Sequence, residues 1–97
     1  MLVFLNDFRV HGDEAEFETA FSSTSDYFRQ QPGFVRHRLV RSISEPSCYV
    51  NIAEWTDQES FERALRNPAF QEHAVALRKL AASEPRLCAE VMSRAVG

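Results

Sequence analysis

The stretch from Tyr49 to Trp55 constrains the fold of this chain most, because its alternation predicts a central strand with two unlike faces. One face combines an amide with the only tryptophan of the chain: Tyr49, Asn51, Ala53 and Trp55. The other face is mainly aliphatic: Val50, Ile52 and Glu54. A candidate site therefore starts from Asn51 and Trp55, and the rest of the chain must supply what faces them.

Length and composition limit the possible functions. We expect the 97 residues to form a single domain over residues 1–97, with little room for an internal pocket unless a partner chain helps. Eight phenylalanines are more than so small a core needs, and we expect some to line a cavity or an interface. The net charge of −3 argues against nucleic acid as the main ligand. With no signal peptide and no membrane-spanning run, we expect a cytoplasmic protein without membrane contact.

Periodicity and turn residues predict four strands and two helical regions. The predicted strands are Leu2 to Val10, Phe34 to Ile43, Cys48 to Trp55 and Leu87 to Arg94. The first helix begins at Asp13 and ends at Gln31. The second begins with a capping box at Thr56, restarts at Asn67-Pro68 and ends at Ser83 to Pro85. The order predicts an α+β, ferredoxin-like βαββαβ fold with a four-stranded antiparallel sheet.

This topology brings the polar residues of two strands together. Right-handed crossovers place the first and third strands side by side at the centre, and we expect them to be parallel. Asn6 and Asn51 then lie on neighbouring strands, and the helices above them carry further aromatic residues: Phe17, Phe21, Phe61 and Phe70. The opposite apolar face lacks a covering segment, so we expect a homodimer packed sheet to sheet. Because the first strand separates the third from the fourth, Cys48 and Cys88 should not pair.

The residue types indicate stabilisation of an anion. One buried asparagine is readily explained by a hydrogen bond to a neighbouring backbone group or a water, whereas two beside aromatic residues favour a cavity with convergent polar groups. Asparagine is no base at neutral pH, but it can donate a hydrogen bond to a developing oxyanion. Residue type alone favours a core role for Trp55. His73 is the candidate for moving a proton, although a boundary position explains it equally well.

Other candidates carry weaker signals. His11 and His37 are interpreted as surface residues, the latter on an edge strand rich in arginine. Tyr49 could donate a phenolic hydrogen bond, although packing is the favoured explanation. The sequence has no Gly-rich phosphate loop and no metal-ligand spacing.

Several runs resemble the antibiotic biosynthesis monooxygenase domain, over roughly Val3 to Val91. They are Gln31 to His37, Arg41-Ser42, Tyr49 to Asp57, Asn67 to Phe70 and Ala82 to Pro85. The Asn-x-x-x-Trp motif, together with Asn6 in the run Phe4 to Gly12, is more specific. It resembles the anthrone monooxygenases of aromatic polyketide pathways, of the nogalamycin type.

The resemblance implies a dimeric α+β barrel that needs no metal, flavin or haem. Such enzymes oxidise an anthrone to a quinone with O2 through a substrate carbanion. The implied catalytic residues are Asn6, Asn51 and Trp55. The expected substrate-binding residues are Phe4, Phe17, Phe21, Tyr49, Phe61, Phe70 and His73. Some relatives have a tyrosine where Phe61 stands here.

Three alternatives remain open at this point. One is a haem-binding or haem-degrading monooxygenase, for which only Asn6 matches clearly. Another is a non-catalytic ligand-binding accessory protein of a biosynthetic pathway. The third, an RNA-binding domain of the same element order, is disfavoured because the third strand lacks the basic and aromatic pattern of such domains.

Overall fold

The computed structural model describes residues 1–97 and shows four strands and three helices. The strands are β1 (Leu2–Val10), β2 (Phe34–Arg41), β3 (Cys48–Trp55) and β4 (Ala81–Ala89). The helices are α1 (Glu14–Arg29), α2 (Gln58–Arg66) and α3 (Pro68–Arg78). The strands form one antiparallel sheet in the order β2-β3-β1-β4. The predicted ferredoxin-like α+β fold is confirmed, as is the edge position of β2.

The helices begin at acidic or amide side chains that accept hydrogen bonds from free backbone N–H groups. Asp13 caps α1 and Asn67 caps α3, as predicted, with Pro68 in the first turn of α3. The cap of α2 is Asp57, whose carboxylate accepts from the backbone N–H of Ser60 at 2.7 Å. The predicted capping role of Thr56 was therefore wrong by one residue.

The two central strands run antiparallel, so the expectation of a parallel pair was wrong. Leu2 lies opposite Trp55 and Phe8 lies opposite Tyr49. The physical reason is the hairpin between β2 and β3. The α1 crossover makes β1 and β2 parallel, and the hairpin then reverses β3 before it inserts between them.

The end of the chain also differs from its prediction. The helix ends at Arg78 rather than at Ser83 to Pro85, and β4 begins at Ala81 rather than Leu87. Proline suggested a break, but β4 is an edge strand, where a missing N–H costs no ladder bond. At the other edge, β2 ends at Arg41, and Ile43 is fully exposed.

A bulge shapes the start of β2. Phe34 pairs with Trp55, but Arg36 pairs with Glu54, so Val35 is the extra residue. Because an extra residue reverses the alternation, Phe34 and His37 both face the helices although they are three positions apart. The turn before the bulge contains Gly33 at φ +88°, and its carbonyl accepts from the Thr56 N–H.

The core lies on one side of the sheet, in two clusters. One is built around Phe17 and includes Phe8, Phe21, Tyr49 and Leu77. The other is built around Trp55 and includes Ala53, Phe61 and Ala64. The opposite face presents half-buried aliphatic side chains: Val3, Leu5, Val50 and Ile52. Cys48 and Cys88 are free and lie on strands separated by β1, as expected.

Candidate active site

Asn6 and Asn51 lie directly opposite each other on β1 and β3. Opposed residues of an antiparallel pair have Cβ atoms about 4.5–5.5 Å apart, so the two amides can contact one small group at the same time. Asn51 is 6% exposed, and Asn6 is partly buried. The juxtaposition predicted from the alternation of the two strands is therefore confirmed.

The two asparagines form part of the floor of a cavity of about 390 Å³ between the sheet and the helices. Its walls are largely aromatic: Phe4, Phe8, Phe21, Phe28, Phe61 and Phe70. At the edge of the sheet it is bordered by Pro85, Arg86 and Leu87 of β4. Small-molecule sites have volumes of about 300–1,000 Å³ and mostly apolar walls. One chain thus encloses enough space for a ligand, contrary to the expectation that a partner chain is needed.

Asn51 is held by a chain of two hydrogen bonds. His37 Nδ1 lies 3.1 Å from Asn51 Oδ1, and His37 Nε2 lies 2.6 Å from Ser25 Oγ on α1. With its oxygen on His37 Nδ1, the Asn51 side chain keeps its amide nitrogen free to donate elsewhere. The interpretation of His37 as a surface residue was wrong, because it shares the helix-facing side of β2 with Leu39 and lies opposite Ala53 of the core.

Asn6 complements this arrangement. Its Oδ1 atom is buried and has no hydrogen-bond partner in the protein. Buried amide oxygens are nearly always hydrogen-bonded in folded proteins, so this one needs a donor from outside the chain. The floor of the cavity therefore combines the Asn6 amide, whose oxygen has no partner in the protein, with a free donor on Asn51.

Trp55 lies behind the cavity wall. It is 1% exposed and packs edge-on against Phe28, Phe34 and Phe61, with ring centroids 5.7, 5.2 and 5.6 Å away. It borders a separate gap of about 10 Å³, together with His37 and Asn51, and does not line the large cavity. Its contacts fix the aromatic wall, so the indole supports the site from behind.

Three of the predicted substrate-binding residues lie away from the cavity. Phe17 is fully buried between Phe8 and Tyr49, at centroid distances of 5.1 and 4.9 Å. The Tyr49 hydroxyl donates to Glu18 Oε2 at 2.6 Å. The pKa of Tyr49 is raised to about 12, mainly because the phenol is buried and secondly because of this hydrogen bond. His73 packs beside Tyr27 at 5.6 Å. Helical and strand periodicity gave the face of each residue correctly but not its distance from the two asparagines.

The cavity has no group suited to act as a general base. Arg86 is the only ionisable residue of the lining, and its side chain pairs with Asp7 at 3.4 Å on the opposite face of the sheet. No group of three or more histidine, cysteine or acidic residues could hold a metal ion. The lining also lacks a histidine, cysteine or tyrosine that could serve as an axial ligand of haem, so these residues do not fit that group.

None of the helices has the length and apolar character needed to cross a membrane.

The residues of the site that were not predicted include Ser25, Phe28, Phe34 and His37. For His37 the signal was present, since it lies two positions before Leu39 and therefore shares the apolar face of β2. Phe28 follows Phe17 and Phe21 at helical spacing, which indicates the buried side of α1 but not a role in the site. For Ser25 no signal existed, because its role depends on the distance between α1 and β2.

The family comparison places this chain, with its asparagine-lined aromatic cavity, in a known class of oxygenases. It belongs to the antibiotic biosynthesis monooxygenase family, whose model matches residues 1–76. The family predicted from the sequence is thus confirmed.

Individual relatives extend this result. Deoxynogalonate monooxygenase of Streptomyces nogalater is 53% identical over 83 residues, which are 86% of this chain and 70% of that protein. The crystal structure of SnoaB, a cofactor-independent oxygenase from Streptomyces nogalater, matches with a TM-score of 0.93 and 49% identity, covering 95% of this chain and 94% of that chain. A conserved protein from Methanosarcina mazei Go1, with a TM-score of 0.82 and 17% identity over 90% of this chain and 89% of that chain, shares the fold alone.

Proposed function

We propose that this protein is a cofactor-independent monooxygenase that oxidises an anthrone-type aromatic polyketide intermediate to a quinone with O2. The observation that carries the proposal is the pair of opposed amides, Asn6 with a free acceptor and Asn51 with a free donor, on the floor of an aromatic cavity. The similarity to SnoaB, described as a cofactor-independent oxygenase, supports it.

The shape of the cavity suits a flat polycyclic ring system. Aromatic side chains surround the space of about 390 Å³ and offer π-faces and edges to a fused ring. A dihydroxyanthrone has a ketone beside phenolic hydroxyl groups. The Asn51 amide nitrogen would donate to the ketone oxygen, while Asn6 Oδ1 would accept from a neighbouring hydroxyl.

This pairing favours loss of a proton from the substrate. When the ring carbon opposite the ketone is deprotonated, negative charge moves onto the ketone oxygen as an enolate. The hydrogen bond from Asn51 then strengthens, because the acceptor has become an anion in an apolar site. Removing one such donor typically costs about 10²- to 10³-fold in kcat. Asn51 thus stabilises the anion without taking up the proton itself.

The remaining chemistry belongs to the substrate and O2. The carbanion transfers one electron to O2, and the resulting carbon radical and superoxide combine to form a C–O bond. The peroxide takes up a proton, its O–O bond breaks, and the second hydrogen of the same carbon leaves as a proton. One O2 is consumed, one oxygen atom remains as the new carbonyl, and the other leaves as water.

The first proton would pass to water at the β4 edge. No carboxylate, imidazole or phenol lines the large cavity, and Arg86 at its border pairs with Asp7 and is no base. The protein therefore acts by lowering the pKa of the substrate carbon acid. The role suggested for His73 as proton carrier is not supported by its position beside Tyr27.

A second copy of the chain would cover the free face of the sheet. That face combines the aliphatic side chains of Val3, Leu5, Val50 and Ile52 with charges of both signs nearby, such as Arg86 paired to Asp7. A two-fold interface places one patch against its own copy, which this mixture of apolar and charged groups permits. The dimer expected from the sequence is retained as part of the proposal.

The test uses chelator-treated protein and a dihydroxyanthrone in air-saturated buffer. Quinone absorbance and O2 consumption should both rise faster than in buffer alone, with one O2 used per quinone formed. Asn51→Ala should lower kcat about 10²- to 10³-fold. The matched control is His11→Gln, which changes an exposed residue at the end of β1 and should leave the rate unchanged.

Two results would contradict the proposal. One is a rate of quinone formation equal to that in buffer alone. If the protein nevertheless bound the anthrone tightly, it would be an accessory binding protein. The other is an accelerated rate that Asn51→Ala leaves unchanged, which would remove the asparagine from the mechanism.

A further inference from the structure

We propose that Ser25 and His37 are positioning residues that hold the Asn51 amide with its nitrogen toward the substrate oxygen. The inference rests on the proposed function and adds two residues to its site. It is carried by the continuous chain Ser25 Oγ to His37 Nε2 at 2.6 Å and His37 Nδ1 to Asn51 Oδ1 at 3.1 Å.

An asparagine side chain needs such a device because its two ends have nearly the same shape. Rotation of the amide by half a turn exchanges a donor for an acceptor with little change in packing. In the wrong orientation, Asn51 would present its oxygen to the enolate and repel the charge that it should stabilise. A fixed hydrogen-bond donor on the Asn51 oxygen removes this ambiguity.

The same ambiguity exists in His37, whose neutral ring carries its proton on either nitrogen. The hydrogen bond made by one nitrogen decides which tautomer is present. Ser25 resolves the choice. The Ser25 hydroxyl has a single hydrogen-bond partner in the protein, His37 Nε2, whereas nearby hydroxyls on α1, such as those of Thr19 and Thr24, donate to backbone carbonyls four residues earlier. A proton donated to Nε2 leaves the ring proton on Nδ1, where it faces Asn51.

The ring of His37 is also held in place by packing. It contacts Phe21 and Phe34 at centroid distances of 5.7 and 5.9 Å, and the bulge at Val35 brings Phe34 onto the same face of β2 as His37. Bulges are common beside active sites, where they redirect a side chain. The bulge, the ring contacts and the serine together determine one orientation of one amide.

The kinetic test separates orientation from packing. His37→Phe keeps an aromatic ring between Phe21 and Phe34 but removes both nitrogens, and Ser25→Ala removes only the hydroxyl. We expect kcat for the dihydroxyanthrone to fall roughly 10- to 100-fold in His37→Phe, with a smaller change in KM. Losses of this size occur when the hydrogen-bond partners that orient the ligands of a metal site are removed. Ser25→Thr, which keeps a hydroxyl, should retain activity that Ser25→Ala loses.

A double-mutant cycle shows whether the effect passes through Asn51. In an Asn51→Ala background, His37→Phe should cause no further loss of kcat, because the amide to be oriented is absent. An equal fold-loss in both backgrounds would overturn the inference, as would full kcat in Ser25→Ala. Thermal unfolding of each variant confirms that the kinetics are those of folded protein.

A spectroscopic test does not depend on turnover. Long-range ¹H–¹⁵N correlations of the neutral histidine rings should show the proton of His37 on Nδ1 in the wild type. In Ser25→Ala the population of the Nε2-protonated form should increase. In His37→Phe one set of ring signals should disappear, which assigns that set to His37. Wild-type protein with the proton on Nε2 would overturn the inference even if the oxygenase activity is present. Inactive wild-type protein with the proton on Nδ1 would instead contradict the proposed function alone.

Discussion

Replacing Asn6 with leucine should stabilise the protein while it removes activity. The Asn6 oxygen is buried without a partner in the protein, and an unsatisfied buried polar group costs about 1–3 kcal/mol. Leucine has a similar volume and removes that cost beside the aromatic wall of the cavity. We therefore expect the free energy of unfolding of Asn6→Leu to rise by about 1–3 kcal/mol. For a chain of this size, each kcal/mol corresponds to a rise in Tm of about 4–8 °C.

The same substitution at Asn51 should act in the opposite direction. Asn51 Oδ1 accepts from His37 Nδ1, so Asn51→Leu leaves a partly buried N–H without its acceptor. We expect a loss of about 1–3 kcal/mol from this unpaired donor. The two asparagines lie opposite each other in the sheet. They differ mainly in whether the protein provides a hydrogen-bond partner for the side-chain oxygen. They therefore form a matched pair, and the comparison cancels general effects of leucine on strand stability.

The assay is thermal and urea unfolding of wild type, Asn6→Leu and Asn51→Leu at one protein concentration, with quinone formation measured on the same samples. Both variants should lose activity, while their Tm values move apart. A lowered Tm for Asn6→Leu would refute the reasoning, since it would show that the Asn6 oxygen is not a cost to the ligand-free fold. Equal shifts in both variants would refute it as well, because they would trace the effect to leucine itself.

Three further predictions concern the fold and its assembly. Gly33→Ala should lower stability by about 1–2 kcal/mol or more, because φ is +88° and the added Cβ would overlap the Ser60 side chain; an unchanged urea midpoint would contradict this. The raised pKa of Tyr49, due to burial and then to its bond with Glu18, implies stability that is complete below pH about 10 and lost as pH rises toward about 12. Unfolding curves over this range should show the loss, and Tyr49→Phe should flatten it; a slope unaltered by the substitution would assign the loss to other groups. Ile52→Arg places a charge on the free face of the sheet and should halve the mass measured by light scattering, whereas a single-chain mass in the wild type would contradict the dimer.

The fold and the asparagine pair could be predicted because they depend on local alternation. Asn6 and Asn51 each occupy a position in a strand whose face is set by period two, and the element order makes those strands neighbours. The last strand was misplaced because Pro85 suggests a break. Whether proline ends an element depends on its position in the sheet, and only the completed topology shows that β4 is an edge.

The Ser25–His37–Asn51 chain could be predicted only in part. The face of His37 follows from its spacing to Leu39, but a histidine beside three arginines on an edge strand resembles a surface residue. The bulge at Val35 has no sequence signal in the turn chemistry before it. The contact of Ser25 with His37 arises from the packing of α1 against β2, and local pattern carries no information about that distance.

The architecture explains why side-chain amides carry this site. In a four-stranded antiparallel sheet, the backbone N–H groups of β1 and β3 are paired with neighbouring strands on both sides and cannot serve as donors to a ligand. An oxyanion above the sheet must then be stabilised by side chains that project from it, and amides can donate without adding a charge to an apolar cavity. A backbone N–H is fixed by the chain, whereas an amide can rotate and present its oxygen instead. A fold that builds its donor from asparagine therefore needs a further group to fix the amide, and His37, oriented by Ser25, occupies that position.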